Sequence, residues 1–111
     1  MKKLDLPTIG EILETEFLEP FNLSQNALAL AIGVPSNRIS GIVKGLRGIS
    51  ADTDLRLTRY FGLSEGYFLR IQERIKLAQA KQALGDALNK IVPLDSFRKA
   101  RKDEQEELLQ G

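Results

Sequence analysis

Apolar side chains recur along most of the chain at steps of three and four, the period at which they line one face of an α-helix. Ile9, Ile12, Leu13, Phe17 and Leu18 form the first such stripe. Thr8 is placed to cap it, Glu11 completes a capping box three residues on, and Pro20 ends it. Phe21 and Leu23 are expected to tuck the connection into the core. Ser24 is an N-cap for a second helix, Gln25 to Ile32, whose inner side carries Leu28, Ala29 and Ile32. Ser36 caps or opens a third that runs to about Lys44 and stops at Gly45, with Ile39 and Ile42 turned inward. Ser50 starts a fourth, ended by Gly62, with an inner face of Leu55, Leu57, Thr58 and Phe61. Ser64 caps a fifth bearing Tyr67, Phe68, Ile71 and Ile75. The stripe then continues as Leu77, Ala80, Leu84, Ala87, Leu88 and Ile91. Gly85 weakens or bends that helix and Pro93 ends it.

The second and third helices are joined by very little chain. Gly33 supplies the left-handed backbone that a tight turn needs, and Ala29, four residues earlier, supplies a small side chain where two steeply crossing helices approach. This is the spacing of a helix-turn-helix. With Val34, Ile39 and Ile42 turned inward, Pro35, Ser36, Asn37, Arg38, Ser40 and Lys44 remain outside. They are mostly short polar or basic side chains, on a helix able to lie in a DNA major groove.

Composition narrows the choices. The 111 residues suffice for one compact domain, and 42% hydrophobic with 28% charged residues is ordinary for a globular protein. There is no Cys, hence no disulfide framework and no thiolate metal site, and no His, the commonest general base and metal ligand. No metal site, cofactor or catalytic residue is therefore expected, and the three glutamates Glu11, Glu14 and Glu16 read as a solvated helix face favoured by the helix dipole. No apolar run approaches membrane-spanning length, and MKKLDLPTIG lacks the apolar core of a signal peptide, so a cytoplasmic protein, nucleoid-associated when on DNA, is expected.

A net charge of +1 conceals an uneven distribution. Residues 1–23 are acidic. Residues 24–62 carry Arg38, Lys44, Arg47, Arg56 and Arg59 against Asp52 and Asp54, so the basic excess falls on the helix-turn-helix and the helix after it. On that reading Asn37 can read adenine with its amide, Arg38 can pair with guanine or a phosphate, and Ser40 is adaptable. Gln25 and Asn26, in the first turn of the second helix, are placed for the DNA backbone, as are Lys44 and Arg47 around the glycine-bearing loop KGLRG. Gly41 either lets the helix approach a base closely or simply lowers helix propensity. Arg56 and Arg59 fit surface ion pairs better than base reading. The seam of Leu77, Leu84, Leu88 and Ile91 is a candidate dimer contact, the other reading being that it folds back on its own core.

These residues resemble the HigA-type antitoxins, a branch of the phage-repressor-like helix-turn-helix family. The similarity runs through PTIGEILETEFLEPFNLSQNALALAIGVPSNRISGIVKGLRGISADTDLRLTRYFG and SEGYFLRIQ, about residues 7–77. VPSNRISGIVKG followed by ISADTDLRLTRYFG carries most of the specificity. The chain departs in having Phe68 where the family usually has Trp, and Ile75 and Lys76 where it often has a Tyr-Asp pair. The resemblance implies a homodimer that binds a palindromic operator in double-stranded DNA over its own promoter and neutralises a cognate ribosome-dependent mRNA-cleaving toxin. It puts Ser36, Asn37, Arg38 and Ser40 where the family reads DNA, and Gln25, Lys44 and Arg47 near its backbone contacts.

The expected architecture is all-α: a five-helix phage-repressor-like helix-turn-helix domain with a C-terminal helical extension. Residues 1–7 form an N-terminal arm, 8–76 the DNA-binding domain, 77–94 the C-terminal helix and 95–111 a mixed-charge tail, solvated when alone. Two other functions fit the same residues: a stand-alone phage-like repressor without a toxin, and an interaction module that has lost DNA binding.

Overall fold

In the computed structural model, residues 5–95 are described. The first four residues of the expected arm, and the expected charged tail from residue 96 on, lie outside them. Among the described residues there are helices and no strands: α1 (Ile9–Ile12) running directly into a π-helical segment (Leu13–Leu18), α2 (Gln25–Ile32), α3 (Ser36–Val43), α4 (Ala51–Phe61), α5 (Tyr67–Leu84) and the single turn α6 (Asp86–Asn89).

Most starts and stops are where local chemistry puts them. The hydroxyl oxygens of Thr8 and Ser24 each accept a backbone N–H three residues on, from Glu11 and Ala27, at 3.0 Å. Ser50 accepts that of Thr53 at 3.3 Å. Gly33 and Gly62 take up left-handed backbone after α2 and α4. The π-helical segment has no counterpart in the apolar period. Its wider ladder, seen in the 2.9 Å bond from the Glu19 N–H to the Glu14 carbonyl, brings residues five apart toward one face. Leu13 and Leu18 are accordingly both buried.

α2 packs on α3 across the turn, α4 packs on α2 and α5, and α1 packs on α3 and α5. The apolar core is shared by every one of these helices: Ile9, Leu13 and Leu18 meet Leu28, Ala29 and Ile32 of α2, Ile39 and Ile42 of α3, Leu57 of α4 and Phe68 of α5. Phe17, Phe61 and Phe68 form an aromatic cluster beside it, with Phe17 5.0 Å from each of the other two rings. Gly10 marks the tightest crossing, since a Cβ there would collide with the Ile42 carbonyl of α3.

Four expectations are corrected. Phe21 is 68% exposed and does not enter the core; only Leu23 is half-buried. Leu55 is exposed, and α4 instead buries Thr53, Asp54, Leu57 and Thr58. Ser64 does not cap α5, whose N-cap is Gly66. The backbone donors at that end are taken by Asp54, which accepts the N–H groups of Gly66 at 2.6 Å, Phe68 at 2.9 Å and Leu69 at 3.1 Å. Finally, α5 does not continue to Pro93. It stops at Leu84, because Gly85 adopts φ 51°, ψ −125°, a backbone that only glycine holds readily.

Candidate nucleic-acid interface

The geometry of the site begins with the burial of one side of α3. Ile39, Gly41 and Ile42 face the protein, which leaves Ser36, Asn37 and Lys44 exposed and Ser40 half-exposed along the opposite side. Steps of three and four stack these positions into one polar stripe. The hydroxyl of Ser40 donates to the Asn37 carbonyl at 3.3 Å, one turn back. Lys44 is the C-cap of α3, and Gly45 then turns the chain with φ 76°.

Arg38 sits on the flank of the stripe, half-buried, rather than in its middle. Its Nη1 donates to the Asp52 carboxylate at the start of α4, 3.1 Å away. Arg56 is the ion-pair partner expected of it: its Nε donates to the same Asp52 oxygen at 2.9 Å, and its Nη1 to the Ile32 carbonyl at 2.8 Å, capping the C-terminus of α2. Arg59 is exposed.

Gly41 does not offer close approach to a base. It is buried, and a Cβ on it would lie 3.0 Å from the Arg47 side chain, which folds over it. The Gly41 carbonyl also accepts the Leu46 N–H at 2.8 Å, so this glycine shapes the loop after α3. That loop is held from the other side by Gln72 of α5. The Gln72 amide, buried, accepts the Ile49 N–H at 2.7 Å and donates to the Ile49 carbonyl at 2.9 Å. Arg47 and Lys44 are thus exposed on a loop that is fixed at both ends.

At the start of α2, Gln25 is half-exposed and Asn26 exposed. Ser24 takes the Ala27 N–H, and the N–H groups of Gln25 and Asn26 have no acceptor among the described residues. That is the arrangement in which a helix N-terminus can meet a phosphate. Leu77, Leu84, Leu88 and Ile91 are 42–68% exposed, so they do not fold back on the core.

Sequence reasoning missed Asp52, Asp54 and Gln72. Asp54 and Gln72 are polar residues at core positions of their helices, and that mismatch with the apolar period was their only signal.

A polar stripe on the second helix of a tight helix-turn-helix, with a basic loop following, defines a helix-turn-helix protein of the phage-repressor-like kind. A helix-turn-helix family model matches residues 16–68. The chain is 45% identical over 96 residues to virulence-associated protein I of Dichelobacter nodosus, covering 85% of this chain and 88% of that protein. It is 30% identical over 87 residues to antitoxin HigA-1 of Vibrio cholerae, covering 78% and 82%. The Pseudomonas aeruginosa antitoxin HigA, solved with the higBA promoter, superposes with a TM-score of 0.71 at 42% identity, over 79% of this chain and 97% of that one. The chain belongs to the HigA-type antitoxins of the helix-turn-helix family. No helix among the described residues is long and apolar enough to cross a membrane.

Proposed function

We propose that this protein is a sequence-specific DNA-binding antitoxin, acting in the cytoplasm, that represses its own toxin–antitoxin operon and neutralises a cognate mRNA-cleaving toxin. The observation that carries the DNA-binding half is the stripe on α3. Its side chains are polar or basic and open to solvent in whole or part, while the reverse of the same helix is locked into the core. The 42% identical Pseudomonas aeruginosa antitoxin solved with its promoter supports the same reading. The toxin half rests on family membership.

In this reading Ser36, Asn37, Arg38 and Ser40 read base edges, and Gln25, Asn26, Lys44 and Arg47 hold phosphates. A homodimer sets two copies of α3 in successive major grooves, ~34 Å apart, on a palindromic operator, and represses by occupying the promoter. The exposed seam of Leu77, Leu84, Leu88 and Ile91 serves the dimer contact. The role is binding rather than catalysis.

The test is a mobility shift on the DNA upstream of the gene, against competitor DNA across a salt series. Tight binding to a palindrome that weakens steeply with salt is expected. Arg38→Ala should cost about 1–3 kcal/mol and relax specificity at one position, whereas Lys44→Ala should weaken all sequences alike and flatten the salt slope. No preference over competitor at any salt would leave the helix-turn-helix as a scaffold only. Co-purification with the product of the neighbouring gene separates an antitoxin from a stand-alone repressor.

A further inference from the structure

Arg38, Asp52 and Arg56 form a chain of contacts to which base reading and phosphate binding give no role. The Arg38 guanidinium on α3 meets Asp52 Oδ1, Arg56 Nε meets the same oxygen, and Arg56 Nη1 is fastened to the last carbonyl of α2. The three elements of the reading head are therefore tied together through one carboxylate. The ion pair is at the surface, with the side chains of Arg38 and Asp52 29% and 59% exposed, where such pairs contribute little to stability. Its consequence is orientation. Arg38 spends only Nη1 on Asp52, which leaves Nε and Nη2, a two-donor edge of a planar fork, for another acceptor. Asp52 lies in the first turn of α4 between two arginines, where the helix dipole and both cations offset its repulsion of a phosphate backbone.

We propose that Asp52 is a positioning residue for operator recognition, holding Arg38 in a fixed orientation toward the O6 and N7 acceptors of one guanine, with Arg56 as its anchor. This rests on the reading of α3 as the base-reading helix. A guanidinium already held gives up less rotamer freedom on binding, and a fixed one accepts fewer wrong base pairs.

The experiment uses the full chain and a set of operators, each with one base pair changed. Arg38→Ala locates the pair that Arg38 reads. Asp52→Asn, checked for folding by circular dichroism, is then measured on the same set at one salt concentration. The expected result is about a tenfold loss of discrimination at that pair alone, with binding to non-specific DNA unchanged or tighter. Asp52→Glu should restore part of the discrimination, and Arg38→Ala with Asp52→Asn should discriminate no differently from Arg38→Ala alone. A common tightening on every sequence with discrimination intact would make Asp52 a repulsive charge only and overturn the proposal. So would an Arg38→Ala variant with unaltered preference at every pair while the wild type still selects its operator. A wild type with no operator preference would instead remove the DNA-binding reading itself.

Discussion

Asp54 shows what a single residue contributes here. Its side chain is on α4, it is 1% exposed, and its carboxylate serves three N–H groups at the start of α5. A buried carboxylate is tolerable only with such partners, and the positive end of a helix is a favourable place for it. Asp54→Ala would leave those donors without an acceptor inside the protein and should cost about 2–3 kcal/mol in urea unfolding. Ser64→Ala, at the position where local sequence suggests the cap, should fall within about 0.5 kcal/mol of wild type. Ser64 and Glu65 look like a helix start to any reading confined to neighbours. The residue that holds this helix start lies 12 to 15 positions back, and such a contact leaves no local trace.

At the level of elements, the caps at Thr8, Ser24 and Ser50 and the stops at Gly33 and Gly62 were legible, because each rests on bonds within a few residues. Which apolar residues of an element turn inward was less so. Leu55 and Leu57 both fit a generous apolar stripe, yet only Leu57 is buried, since α4 must present one face to both α2 and α5. The end of α5 was legible in part: Gly85 marked a weak point of the helix, and the structure makes it a full break. The apolar period continues past Gly85, but the backbone breaks there. Alanine favours a helix over glycine by about 1 kcal/mol and cannot easily adopt φ 51°, ψ −125°. Gly85→Ala should therefore extend α5 toward α6. Helical backbone chemical shifts and slowed amide exchange across residues 84–89 would show it, and unchanged values would mean that tertiary packing sets the break.

For the molecule as a whole, the helical extension is the unsatisfied part. Leu77, Leu84, Leu88 and Ile91 are all exposed in the single chain, together with Val92 and Leu94. This group of exposed apolar side chains is the surface proposed above for the dimer contact. Leu84→Asp should leave the compact core folded while shifting sedimentation to the monomer and weakening operator binding, because each half-site would then be bound alone. An intact dimer would place the contact elsewhere.

Taken alone, the amino-acid order determined the all-α class, the helix-turn-helix at residues 24–46, the polar face of its second helix and the basic loop behind it. Those features follow from apolar period, local caps and side-chain chemistry, all short-range along the chain. Only the tertiary structure decided that Gly10 lets α1 cross α3, that Gly41 is buried beneath Arg47, that Gln72 clamps Ile49, and that Arg38 is held by Asp52. Each of those depends on where two distant segments come to lie when the core closes, and the packing of whole helices sets that distance.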